Sequence, residues 1–240
     1  MVRDFVGKLC DFMLPRHCRV CGTVLLEKER HLCTVCISDM PLTYFWIRLH
    51  NPMADALNGA LQRLRDIEDD TLEEHYSAAA ALYFYKGGYK KISQDVKYNA
   101  DIPLGQQMGQ ALGKKLSDSP VFEDADLVVP VPLHWLRRWK RGYNQSCIIA
   151  EEVASALGAA MDGQVLRKQK RTRSQTGVTM ADKANNVRGA FKATPTDKLL
   201  SARHILIIDD VFTSGSTVSE CHRTLRKKLR ECLGEKKPPG

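Results

Sequence analysis

Apolar positions follow two rhythms along this chain. In four stretches they recur every three or four residues, as on one face of a helix. These are Ala56, Leu57, Ala60, Leu61 and Leu64; residues 103–116; Cys147, Ala150, Val153, Ala154 and Leu157, capped by Asn144 and closed by Gly158; and Val218, Cys221, Leu225, Leu229 and Cys232, in a helix expected from about Thr217 to Leu233. Elsewhere the apolar residues run together. Leu127-Val128-Val129-Pro130-Val131-Pro132 reads as a short strand stopped by two prolines, and Ser77 to Tyr85 as a buried strand turned at Lys86-Gly87-Gly88. Ile205-Leu206-Ile207-Ile208 is apolar on both faces, the pattern of a central strand in a parallel sheet. Strand, polar loop and helix alternate, which predicts an α/β fold with a doubly wound, mostly parallel sheet.

Polar interruptions set the organisation. Asp66 to Glu74 is an acidic break, and Gln164 to Lys192 holds eight basic residues against one acid with few large apolar groups, the composition of a mobile loop or hood. Boundaries are expected at 1–45 for an N-terminal helix and a cysteine module, 46–75 for a connecting helical segment, 76–234 for the main domain and 235–240 for a polar tail. Phe5, Leu9, Phe12 and Met13 share a helical face suited to docking, while Asp4, Lys8 and Asp11 exclude a secretory signal. No apolar run approaches the roughly 18 residues needed to span a bilayer, so the expectation is a cytoplasmic protein without membrane insertion.

Eight cysteines might suggest disulfides, but four stand as Cys18-x2-Cys21-x11-Cys33-x2-Cys36. Two such knuckles present four thiolates to one tetrahedral zinc and leave no open position for a catalytic water, so the site is expected to be structural. Metal binding then supplies the folding energy that so short a module cannot draw from its own core. His17 and His31 lie close enough in sequence to replace a thiolate, but ligation by all four cysteines is preferred.

Charge and one loop point to phosphate chemistry. The net charge of +8 sits wholly in residues 121–240, a surplus that favours polyanionic partners. After Ile205–Ile208 come Asp209 and Asp210, delivered to the strand's carboxyl end, and then Thr213, Ser214, Gly215, Ser216 and Thr217 at the start of the next helix. Small residues there supply backbone N–H groups and hydroxyls at the positive end of a helix, a site for a ribose 5-phosphate. Trp135, Trp139 and Tyr143 are interleaved with Arg137, Arg138, Lys140 and Arg141, a mixture that can stack bases while neutralising phosphates; packing at spacing four is the alternative for the aromatics.

The Asp-Asp loop resembles the phosphoribosyl pyrophosphate (PRPP) signature of type I phosphoribosyltransferases. Three further blocks extend the likeness: the cysteine knuckles, Pro130-Val131-Pro132-Leu133-His134 running into Arg141-Gly142-Tyr143-Asn144-Gln145-Ser146, and Gln175 with Asn186-Val187-Arg188-Gly189-Ala190-Phe191. Together they resemble the ComF (competence protein F) family over roughly residues 14–225. That resemblance implies a zinc ribbon followed by a type I phosphoribosyltransferase-like domain, linked in some bacteria to natural competence and DNA uptake. It also implies that Lys97 and Tyr98 lie near a pyrophosphate-facing loop and that Asp209 and Asp210 hold ribose hydroxyls. The chain departs from the family pattern in Lys183, where an Arg is usual, and in the polar, proline-ended stretch 231–240, where an alternating valine strand is usual.

Two functions remain open at this level. One is an enzyme that transfers a ribose phosphate from PRPP with Mg²⁺, its 5-phosphate on residues 213–217 and its pyrophosphate met by Lys97 with Arg141 or residues of the basic hood, Tyr98, Asn144 and Gln145 being further phosphate-binding candidates, with no acceptor base identifiable. The other is a binding module for single-stranded DNA, using Trp135, Arg137, Arg138, Trp139, Lys140 and Tyr143 with Arg171 and Arg173 of the hood. A DNA-uptake ATPase is a further partner, through the zinc module.

Overall fold

The computed structural model describes residues 15–68, 75–169 and 187–234. Its helices are α1 (Thr34–Ser38), α2 (Pro52–Glu68), α3 (Lys90–Tyr98), α4 (Ile102–Ser117), α5 (Trp135–Arg141), α6 (Gln145–Leu157), α7 (Asp197–Ser201) and α8 (Ser216–Leu233). Its strands are β1 (Leu127–Pro130), β2 (Ala160–Met161), β3 (Leu166–Lys168), β4 (Phe191–Ala193) and β5 (Ile205–Ile208). The expected helix over residues 5–13, the hood's Arg171 and Arg173, Lys183 and the tail 235–240 lie outside the described residues.

The result is a mixed α/β protein. A parallel sheet runs in the order β2-β1-β5, with Leu127 opposite Ile205 and Pro130 opposite Ile208, and β3 pairs antiparallel with β4 in a separate ribbon. All four residues of β1 are buried, as its unbroken apolar run requires. Helices cover both faces. Leu116, Ala150 and Val153 of α4 and α6 pack with Val128 and Ile208 on one side; Leu199 of α7 and Cys221, Leu225 and Leu229 of α8 pack with Leu127 and Val129 on the other.

Three sequence expectations are corrected. Ile205–Ile208 is an edge strand among the described residues, and three of its four residues are only half-buried. Ser77 to Tyr85 forms no strand, keeping a single antiparallel bridge between Leu42 and Tyr83. Over residues 77–81 no ladder partner stands beside it among the described residues, and side chains take backbone groups instead: Asn58 holds both the amide and the carbonyl of Ser77 at 2.9 and 2.8 Å, and Asn51 holds the Ala79 carbonyl at 2.9 Å. The expected hood from Gln164 to Lys192 is rooted in regular structure, because β3 and β4 form its stem.

The helix that carries the site is held by a stripe of small residues. Gly105, Gly109 and Gly113 recur every four positions along α4 and face α6. A Cβ on Gly109 would come within 2.9 Å of the Glu152 Cβ, and one on Gly113 within 2.7 Å of the Ala156 Cβ, so α4 approaches α6 more closely than any larger residue would permit. Asn144 caps α6 by accepting from the Ser146 amide at 3.2 Å, and Gly158 ends it in the left-handed conformation. The amino end of α6 is thereby fixed beside the carboxyl end of β5.

Candidate functional site

Where β5 ends, Asp209 and Asp210 meet residues from α3, α5 and α6. The Lys97 Nζ, in the last turn of α3, stands 2.5 Å from Asp210 Oδ2, and both side chains are largely covered. Gln145 Nε2 donates to Asp210 Oδ1 at 3.4 Å and is itself joined to Arg141 through its Oε1. The Ser146 hydroxyl donates to Asp209 Oδ1 at 3.2 Å, and the Asp210 amide donates to the same oxygen at 2.9 Å. Two adjacent carboxylates in a covered site cannot both hold full charge cheaply. Burial, and then the charge of Asp210, push the Asp209 carboxyl up to about 7, while Lys97 pulls the other way.

Beyond the acids, Gly215 takes φ +74° as the N-cap of α8, and a Cβ there would meet the Phe212 ring at 3.0 Å, so glycine is required twice over. The Ser214 and Ser216 hydroxyls lie 2.9 Å apart. Ser219 makes the first capture by its amide, on the Gly215 carbonyl at 2.8 Å; among the described residues the amides of residues 213–217 have no acceptor. A run of uncommitted N–H groups at a helix start attracts an anion.

Basic and aromatic groups flank this corner. Trp135 and Trp139, one turn apart on α5, are 66% and 79% exposed, which removes core packing as the explanation for either. Tyr98 is 75% exposed, and the Arg141 guanidinium lies 5.5 Å from its ring centre. Arg137, Arg138 and Lys140 are exposed on the same short helix. Tyr143 is half-buried, its hydroxyl donating to the Val96 carbonyl, and the Asn144 amide group donates to the Val131 carbonyl at 3.0 Å, so both also brace the frame.

Sequence reasoning missed three residues. Lys168, at the end of β3, is pushed to a lower pKa by burial and then by the charge of Arg137, with Asp209 opposing, which puts all three within electrostatic reach. Ser146 bonds Asp209 directly, and the buried His134 caps α5 by accepting from the Leu136 amide at 3.3 Å. No local signal marked Lys168, which follows Arg167 in a basic stretch. His134 and Ser146 stood inside blocks that attracted notice for other members.

The cysteine module packs against α3 and α4. The sulfurs of Cys18, Cys21, Cys33 and Cys36 all lie within 4.8 Å of one another, and Cys21 and Cys33 are 3.7 Å apart. Zn–S bonds of about 2.3 Å in a tetrahedron imply sulfur separations of roughly 3.8 Å, so the four cysteines fit one zinc ion. His31 is committed elsewhere, its Nδ1 3.2 Å from Asp101 Oδ1. Arg19 also binds Asp101, at 3.1 Å, and the Tyr89 hydroxyl donates to the Cys36 carbonyl at 3.0 Å. Leu25 and Leu32 share a core with Ile92, Val96 and Leu104 of α3 and α4. The cysteine module therefore buttresses the helix that carries Lys97.

These features define a mixed α/β protein with an acid pair at the carboxyl edge of a parallel sheet and a four-cysteine cluster that fits a metal ion. Its homologues bear out the ComF resemblance. Competence protein F of Haemophilus influenzae is 31% identical over 102 residues, which is 42% of this chain and 44% of that protein. DNA utilization protein YhgH of Salmonella typhimurium is 35% identical over 100 residues, and that of Escherichia coli K12 32% over 100, each covering 42% of this chain and 43% of the relative. The matched region thus spans less than half the length of these curated relatives. No family model matches the chain, and no solved structure matches it. Among the described residues no helix is long and apolar enough to cross a membrane.

Proposed function

We propose that this chain binds single-stranded DNA in a competence or DNA-utilization role, on a type I phosphoribosyltransferase-like domain whose phosphate site receives the nucleic acid's sugar-phosphate groups. The observation that carries this reading is the pair of outward-facing tryptophans on a basic helix one segment from the acid pair. Bases stack on Trp135 and Trp139, Arg137, Arg138 and Lys140 neutralise phosphates, and the amides of residues 213–217 receive a phosphate at the helix start. The names of the relatives, one a competence protein and the others DNA utilization proteins, accord with that use. Titration of a labelled single-stranded oligonucleotide over a salt series tests it. Log affinity should fall linearly with log salt, and the slope should flatten by about one for each of Arg137, Arg138 and Arg141 replaced by Ala. Saturable binding that ignores salt and survives Trp135→Ala with Trp139→Ala would defeat the proposal.

A second reading, an Mg²⁺-dependent phosphoribosyltransferase acting on PRPP, is favoured by one observation: the acid pair adjoins the uncommitted amides. In it Asp209 and Asp210 orient the ribose hydroxyls, residues 213–217 hold the 5-phosphate, and Lys97, Tyr98, Arg141 and Gln145 face the pyrophosphate, with Mg²⁺ neutralising the leaving group. Lys97 would have to leave Asp210 as substrate enters, its ammonium passing from carboxylate to pyrophosphate. Calorimetric titration with PRPP and Mg²⁺ decides this: magnesium-dependent heat lost in Asp210→Asn supports it, and no heat sinks it. The zinc module remains the proposed docking face for an ATPase partner.

A further inference from the structure

Buried and exposed positions separate along α3. Ile92, Ser93 and Val96 are buried, Ile92 and Val96 in the core shared with the cysteine module. Lys90, Gln94, Lys97 and Tyr98 recur at helical spacing and form the outward face. The one acid of the helix, Asp95, is committed to Arg19 at 3.7 Å and to the Asn99 side chain at 2.7 Å. The first turn holds Lys90 and Lys91 and no acid. Cations there oppose the positive end of the helix dipole, and among the described residues neither lysine has an acidic partner. An exposed arrangement that is locally unfavourable marks a place where an anionic ligand would bring relief.

Each end of this face carries a ring with a cation over it. At the start the Lys90 Nζ lies 5.8 Å from the ring centre of Tyr85, which is 40% exposed; at the end the Arg141 guanidinium lies over Tyr98. Eight helical steps set the positions of Lys90 and Tyr98 about 12 Å apart. Lys97, on the same face, reaches the acid corner through Asp210. Burial pushes the Tyr83 hydroxyl up, with Asp210 and then Tyr85 adding to the push, so both lie within electrostatic reach of it. The Tyr85 end is firmly seated. The Phe84 amide donates to the Pro41 carbonyl at 2.9 Å and the Lys86 amide to the Phe84 carbonyl at 2.8 Å. A Cβ on Gly88 would stand 2.9 Å from the Val20 carbonyl oxygen, so the 3₁₀ turn Gly87–Tyr89 lies directly on the cysteine module. Tyr85 thus presents its ring from a fixed backbone, which spares a ligand the cost of ordering it.

We propose, building on the single-stranded DNA reading, that the outward face of α3 is a second station for the same strand: a base stacks on Tyr85, Lys90 and Lys91 neutralise the phosphates beside it, and the strand continues past Tyr98 and Arg141 to the tryptophans of α5. The pairing of ring with cation selects this ligand. A planar group meets the ring while an anion meets the ammonium, and a second such pair further along the helix suits a polymer that repeats both. An acidic peptide would use the lysines and leave the rings idle.

The test uses the full chain and labelled oligothymidylates from about 4 to about 16 nucleotides, followed by anisotropy. Tyr85→Ala with Lys90→Ala should lower affinity for the longest strand about tenfold or more and shorten the length at which affinity stops rising, leaving the shortest strands within about twofold of the unmodified protein. For the longest strand, Lys90→Ala alone should flatten the salt slope by about one. Tyr85→Ala alone should weaken binding without changing that slope, and Tyr85→Phe should retain it. A double variant that matches the unmodified protein at every length, or loses equally at every length, while binding still depends on Trp135 and Trp139, overturns the second station alone. A Tyr85→Ala variant without effect beside a damaging Lys90→Ala overturns it too, leaving a merely charged surface. Failure of every strand to bind overturns the single-stranded DNA reading itself.

Discussion

Two places in this molecule crowd like charges together, and they relieve the crowding differently. At one, four thiol sulfurs fall within 4.8 Å; at the other, Asp209 and Asp210 adjoin and share a hydrogen bond. The four cysteines would enclose a metal counter-charge and leave it no open position, while their surroundings lock onto α3 and α4 through Arg19, His31 and Tyr89. The aspartates rely on a proton and on Lys97, both of which can be exchanged for something else. A closed cluster is built to hold the fold, and an open one is built to be answered by a ligand. That contrast is the physical basis for assigning structure to the first and binding to the second.

Breaking the closed cluster should have the largest effect. Cys36→Ser leaves three thiolates for the metal, and a structural zinc supplies on the order of 10 kcal/mol of folding energy to such a module. Bound zinc, released and measured with a chromogenic chelator, should fall from one per chain to near zero, and thermal melting should lose its single transition. Breaking the open cluster should cost less. Lys97→Ala leaves Asp210 covered and unpaired, a loss of about 2–4 kcal/mol at pH 7 in urea unfolding.

The frame between the two clusters comes next. Gly113→Ala places a methyl group 2.7 Å from the Ala156 Cβ and must push α4 from α6, costing about 1–3 kcal/mol. Because α6 carries Gln145 and Ser146, the same variant should also weaken ligand binding at the acid pair, which a purely local packing defect would leave alone.

The smallest effect has the opposite sign. Asp209 has a folded-state pKa raised from 3.8 to about 7, so the folded protein holds a proton that the unfolded chain releases earlier. Stability is therefore lost as pH rises from about 4 to 7, and the loss is complete above that window. Asp209→Asn removes this cost while keeping an acceptor for Ser146. It should leave urea stability unchanged at pH 4 and raise it by ~1–2 kcal/mol at pH 8. A gain at both pH values would mean that burial alone, without titration, governs the site.

Much of this was legible in the chain. The convergence of the four cysteines was legible from their spacing because knuckle geometry is local, and the helix boundaries followed from caps such as Asn144 and Gly158. The acid pair and the glycine at 215 were legible because strand end, turn and helix start are consecutive in sequence. What depends on neighbours was not. Residues 77–85 have strand composition, yet strand identity requires a ladder, and here Asn51 and Asn58 stand where a neighbour would. Lys168 comes within electrostatic range of Asp209 only through the packing of the β3–β4 ribbon against the rest of the fold, a placement no local pattern encodes.

The account rests on a phosphate being received where β5 gives way to α8. Amide resonances of a ¹⁵N-labelled sample, followed during titration with ribose 5-phosphate, test that directly. The account predicts saturable downfield shifts concentrated on residues 213–217, abolished together by Gly215→Ala, while Trp135 and the cysteine module stay unmoved. Shifts spread over the basic surface with residues 213–217 unchanged would contradict it.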